Sequence, residues 1–144
     1  MLPTSVMAIP TKSPCGARFL PSYDFEIRGH TKRCTALINL KDHLLIGISP
    51  FNSRFSPAYL KSLITWGYNN FSNVDVLLPD LQSAATLLLA NGTPRAKALR
   101  KSRKELNRHR RYLTEFTENS ENTFSSIRIL EFNNYSQHET YKKT

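Results

Sequence analysis

Residues 43–49, His-Leu-Leu-Ile-Gly-Ile-Ser, are apolar at nearly every position and stop abruptly at a serine. A strand with one wet face alternates apolar and polar residues, so an unbroken apolar run predicts a strand covered on both faces, as in a parallel sheet. Parallel strands need long crossovers, and the next residues supply one. Ser56 precedes Pro57, a hydroxyl able to accept from an orphan helix N–H followed by a ring whose φ suits the first helical position. Leu60, Leu63, Ile64, Gly67 and Phe71 then recur at three- and four-residue steps, predicting a helix over 57–71 that buries this stripe and leaves Lys61 and Asn69 in water.

A second apolar run, VDVLLPD at 74–80, is closed by a proline and reads as the next strand. Residues 81–91 read as an alanine- and leucine-rich helix stopped by Asn91-Gly92, a pair that readily takes the left-handed conformation. Thr93 and Pro94 restart a third helix, and SSIRILEF at 125–132, after the turn-rich TENSENT, is a third strand candidate. Strand, helix, strand, helix predicts parallel crossovers of one hand, and hence a doubly wound α/β sheet. Residues 1–37 hold four prolines and little periodicity, and read as an N-terminal arm with a short helix after Phe19; residues 38–144 form the α/β domain.

The net charge of +9 is concentrated: residues 95–111 hold nine Lys or Arg and one acid, Glu105. On a helix, Lys97, Arg100, Lys101, Lys104, Arg108 and Arg111 fall within an arc of roughly 100°, with Leu99, Leu106 and Leu113 on the opposite side. Solvated helices usually intersperse acids that pair with cations three or four residues away. A row of cations roughly 20 Å long without them points to phosphates, and the scarcity of aromatics beside it favours backbone contact with a folded nucleic acid over stacking on loose bases. An anionic membrane would call for Trp or Phe on the apolar face, so no membrane partner is expected.

Other classes are poorly served. Cys15 and Cys34 have no metal-like spacing, the four histidines have no ligand-spaced partners, and paired carboxylates and a phosphate-cradling glycine loop are missing, so neither a metal site nor nucleotide hydrolysis is expected. No apolar run approaches a membrane span, and prolines and lysine interrupt the first residues where a signal peptide needs a clean apolar segment, so the expected location is the cytoplasm.

In open α/β sheets ligands bind outside the carboxyl ends of the strands, where Ser49 falls. Gly47 would let a substrate approach the backbone, and Asn52 carries an amide able to hold an amine or a carbonyl. The esterase elbow G-x-S-x-G is excluded, because Phe51 stands at its last position.

His43-Leu44-Leu45-Ile46-Gly47-Ile48-Ser49 matches in full the first signature of the tRNA-dependent cyclodipeptide synthases, His-x-aliphatic-aliphatic-Gly-aliphatic-Ser. The likeness runs through PFNSRFSPAYLKSLITW and VDVLLPD into NGTPRAKALRKSRKELNRHRRY, over residues 38–113, and the chain resembles most the cyclo-dileucine-forming members. The resemblance implies a Rossmann-like parallel sheet of the kind found in class Ic aminoacyl-tRNA synthetase catalytic domains. It implies transfer of an aminoacyl group from aminoacyl-tRNA to Ser49 and reaction with a second aminoacyl-tRNA to give a dipeptidyl-enzyme that cyclises, with leucyl-tRNA as the expected substrate. Leu45, Gly47, Leu77 and Leu130 would line the first aminoacyl pocket, Asn52 would contact substrate, and the six cations would bind tRNA. Because an aminoacyl ester is already activated, no ATP, metal or other cofactor is needed. The family's second signature, Tyr-aliphatic-x-x-Glu-x-Pro, does not occur in these 144 residues, and Tyr141 and Glu139 lack its spacing. The expectation is therefore a partial domain, with a catalytically incomplete fragment or a non-catalytic RNA-binding protein as the alternative.

Overall fold

The computed structural model describes residues 23–118, 126–135 and 138–139 of the chain. Its elements are α1 (Lys32–Leu40), β1 (His43–Gly47), α2 (Pro57–Asn70), β2 (Asn73–Leu78), α3 (Leu81–Ala90), α4 (Arg95–Glu118), β3 (Ile127–Glu131) and a single 3-10 turn (Phe132–Tyr135). The three strands form one parallel sheet in the order β1-β2-β3. The expected strand-helix alternation is present, and the architecture is a Rossmann-like α/β layer.

The helix ends follow the local chemistry. Ser56 accepts from the Tyr59 N–H at the start of α2, with Pro57 in the first turn. Asp80 does the same for α3, accepting from Ser83 N–H at 2.6 Å. Beyond α3 it is Gly92, at φ 78°, that takes the left-handed conformation, while Asn91 keeps φ −89°. α1 lies beyond the region where a short helix was expected: it is capped by Thr31, whose hydroxyl accepts from Cys34 N–H, and runs across the expected boundary at residue 37. Tyr23, Phe25 and Ile27, assigned by sequence to the arm, pack against the core. Phe19 and most of TENSENT lie outside the described residues.

One feature of the fold corrects the sequence reading. The apolar run at 43–49 predicts cover on both faces, but the buried residues of β1 are Leu44 and Ile46, with Ile48 just beyond, whereas Leu45 is 40% exposed and Gly47 is exposed. Leu44, Ile46, Ile48, Val74, Val76 and Leu78 share one core with Leu60, Leu63 and Ile64 of α2 and Leu113 of α4. Both crossovers advance in the same direction across the sheet, so crossovers of one hand lay their helices on one face. The winding is thus single over the described residues, where a doubly wound sheet would carry helices on both sides.

The buried stripe of α4 is Ala98, Ser102, Leu106, His109 and Leu113. Leu106 and Leu113 are where periodicity puts them, but Leu99 is only half-buried. α4 packs against α3, in which Ala84 and Ala85 are fully buried.

Candidate functional site

Side chains alternate along a strand, and the register pairs Leu45 with Asp75 and Gly47 with Leu77 on one side, Asp75 with Arg128 and Leu77 with Leu130 on the other. Leu45, Gly47, Leu77 and Leu130 therefore share one face, the one turned away from α2. Ile48 extends the ladder, its N–H donating to the Leu77 carbonyl at 3.0 Å. With Ile48 buried on the helical side, the alternation puts the half-buried Ser49 on the side of Gly47. A methyl group built on Gly47 would meet no other atom within 4 Å. The four residues expected to line a pocket thus share one face of the sheet, with open space over Gly47.

Two residues toward the amino ends from Gly47, Leu77 and Leu130, in register with Leu45, the same face is charged. Asp75, 3% exposed, accepts from Arg128 through Nε and Nη2, both at 2.7 Å, and its other neighbour is His43 Nε2 at 2.9 Å. The Arg128 hydrogen bonds hold the Asp75 carboxyl below the ordinary carboxylate range, burial opposes them, and His43 adds to them. This cluster is a functional-looking group that the sequence reading passed over, although the signal is there: a lone Asp inside the apolar VDVLL requires a partner once buried. A depression of about 340 Å³ lined by His43, Asn73, Ser126 and Arg128 lies at the amino ends of the strands, away from Ser49.

The loop after Ser49 is a hydrogen-bonded turn. The Ser49 carbonyl accepts from Asn52 N–H at 3.1 Å, the Asn52 carbonyl from Phe55 N–H at 3.0 Å, and Asn52 Oδ1 from Arg54 N–H at 3.0 Å. Pro50, Phe51, Asn52 and Ser53 form one wall of a groove of about 400 Å³; Lys101, Lys104, Glu105 and Arg108 of α4 form the other. The fold therefore brings the serine loop against the basic helix, two features separated by some fifty residues in the chain. Lys97, Arg100 and Arg111 are also exposed on that helix but do not line the groove. Arg108 pairs with Glu105 at 2.8 Å and Arg111 with Glu115 at 3.8 Å, both on the helix surface. Arg110 turns instead to β3, donating from Nε and Nη2 to Glu131.

His109, read from the sequence as structural or solvated, is 3% exposed. Desolvation lowers its pKa, opposed by a hydrogen bond to the Pro50 carbonyl. Its Nε2 is buried with no hydrogen-bond partner among the described residues. Among the described residues no group of His, Cys, Asp or Glu is arranged to hold a metal ion, and no helix is long and apolar enough to cross a membrane.

The cyclodipeptide synthase family model matches residues 25–144. The chain is 40% identical over 121 residues to a cyclo(L-leucyl-L-leucyl) synthase of Photorhabdus laumondii, covering 84% of this chain and 52% of that protein. It is 48% identical over 91 residues to a cyclo(L-leucyl-L-leucyl) synthase of Bacillus subtilis, covering 63% and 36%. Among solved structures, the fold superposes with TM-score 0.70 on a Mycobacterium tuberculosis cyclodipeptide synthetase described as related to type I tRNA synthetases, at 27% identity over 78% of this chain and 48% of that one. A cyclodipeptide synthase from Bacillus thermoamylovorans gives TM-score 0.67 at 40% identity, covering 78% and 47%. The chain spans about a third to a half of the length of these relatives. A family match over most of its residues, carried on a parallel sheet that shares the relatives' fold, makes this chain a member of the cyclodipeptide synthase family.

Proposed function

We propose that the chain provides the serine half of a cyclodipeptide synthase active site, acting on aminoacyl-tRNA in the cytoplasm, where charged tRNA is found, with leucine as the first amino acid. The observation that carries this reading is the meeting, at the end of β1, of Ser49, the clear space over Gly47 and the groove shared by the serine loop and the basic helix.

In this mechanism, the tRNA backbone lies along Lys97, Arg100, Lys101, Lys104, Arg108 and Arg111, whose contacts set affinity and orientation without reading sequence. The terminal ester then reaches Ser49. The Ser49 Oγ attacks the ester carbonyl, the ribose oxygen leaves carrying the proton that Oγ gives up, and the aminoacyl group becomes a serine ester. Its side chain lies over Gly47 against Leu45, Leu77 and Leu130, an apolar lining that suits leucine, while Asn52 orients the aminoacyl group. The amine of the serine-bound aminoacyl group and the ester carbonyl of a second aminoacyl-tRNA then form the peptide bond, the second ribose oxygen leaving with the amine proton, and the resulting dipeptidyl-enzyme cyclises as its free amine attacks the Ser49 ester carbonyl and returns a proton to Oγ. Both esters are activated beforehand, so positioning is the main requirement, and neither ATP nor a metal enters.

The test is transfer of labelled leucine from leucyl-tRNA to protein. Label on the wild type and none on Ser49→Ala supports the serine ester; equal label on both, or none on either, refutes it.

A further inference from the structure

We infer that the groove between the serine loop and α4 holds the unpaired terminal nucleotide of the tRNA 3′ end, its base stacked on the Phe51 ring and its phosphate facing Lys101, Lys104 and Arg108. This rests on the reading of the chain as acting on aminoacyl-tRNA, and it gives a binding role to a side chain outside the expected set.

Other aromatics near the groove are committed to packing. Phe55, four residues on, packs against the core and meets Tyr59 edge to face at 6.1 Å between centroids. Tyr112 of α4 packs there too, and its hydroxyl donates to the Pro57 carbonyl at 2.6 Å. Phe51 is half-buried, and among the described residues it joins neither that core nor a ring pair. It lines the groove opposite Lys101, Lys104 and Arg108 instead. A ring facing cations across a gap suits a nucleotide, because every base has a π-face and every phosphate a negative charge. Glu105, an acid lining the same groove, pairs with Arg108 at 2.8 Å, and among the described residues no ion pair takes up Lys101 or Lys104. At about 400 Å³ the groove sits near the low end of the roughly 300–1,000 Å³ typical of small-ligand sites, room for one nucleotide and not for a paired stem.

The turn sets the position of the ring. The Ser49 carbonyl accepts from Asn52 N–H at 3.1 Å, so Pro50 and Phe51 are the central residues, with the buried proline fixing φ where such turns favour it. A turn of this kind keeps its first and fourth Cα atoms within about 7 Å, so a base on Phe51 is a base beside Ser49. An aminoacyl ester hangs from the ribose of the terminal nucleotide, one sugar away from that base. Stacking therefore selects the orientation in which the ester faces the serine, which phosphate contacts alone do not select. The basic segment lacks such a ring in its own sequence because the fold brings Phe51 to it across α2, β2 and α3.

A double cycle tests the contact without any transfer step. Uncharged tRNA, and the same tRNA with its terminal base removed so that ribose and phosphate remain, are titrated against wild type and Phe51→Ala by filter binding at fixed salt. Wild type should bind the intact RNA about 10-fold or more tighter than the abasic one. Phe51→Ala should bind both alike, near the affinity of wild type for the abasic RNA. Phe51→Leu, which keeps bulk without a ring, should lose most of the preference, and Phe51→Trp should keep it. The slope of log affinity against log salt should be the same in all four proteins, because no phosphate contact is removed. Equal affinity of wild type for the two RNAs, absence of binding included, overturns the inference, as does a Phe51→Ala or Phe51→Leu protein that keeps the full preference. If wild type shows the preference but transfers no leucine to Ser49, the serine-ester reading fails and the stacking stands; transfer without the preference leaves the ester reading and sinks the stacking.

Discussion

Replacing Gly47 with alanine separates stability from function at this site. Gly47 ends β1 with no left-handed φ to defend, and the added methyl meets no atom within 4 Å. Alanine in such a position narrows the unfolded ensemble without straining the folded chain, a gain of about 0.4–1 kcal/mol. For a chain of this size that raises Tm by about 1–5 °C. The same methyl occupies the space in which the leucyl side chain would lie over Leu77 and Leu130, and a displaced ester should slow transfer by about 10- to 100-fold. Gly67→Ala is the comparator. There the new Cβ would sit 2.7 Å from Leu44 Cδ2 and 3.4 Å from Val74 Cγ2, inside the core, and overpacking should cost about 1–3 kcal/mol. Thermal melts and labelled-leucine transfer on both variants check this. A Gly47→Ala protein that melts lower, as Gly67→Ala should, refutes the open space. One that gains stability but transfers leucine at the wild-type rate refutes the place of Gly47 in the pocket.

Charge reversal at two groove cations, Lys101→Glu with Arg108→Glu, should weaken tRNA binding and reduce the slope of log affinity against log salt by about two or more, measured by filter binding from low to high salt. Asp75→Asn should lower unfolding free energy by about 1.5–3 kcal/mol at neutral pH, through loss of charged hydrogen bonds from Arg128. Because the folded Asp75 carboxyl is held below its ordinary value, its contribution is present above about pH 4 and is lost as pH falls further; denaturant melts of wild type and variant should converge there. Leu113→Ala, at a fully buried position joining α4 to the sheet, should cost about 2–5 kcal/mol in the same melts.

The sequence by itself determined those features whose causes are local. Ser56-Pro57 marks the start of α2 because the capping hydroxyl and the pre-set ring are neighbours, and six cations reach one side of α4 because 3.6 residues make a turn. His43 to Ser49 could be read as a strand and a signature in one. Tertiary structure alone decided which side of that strand stays open: Leu44 and Leu45 are the same residue type, and only the order β1-β2-β3, with its crossover helices on one face, buries the first and exposes the second. It also decided that α4 buries Ala98 and Ser102 more deeply than Leu99. Arg128 on Asp75 and Tyr112 on the Pro57 carbonyl join residues more than fifty positions apart. No periodicity encodes such pairs, because each depends on how two separately legible elements come to rest against one another.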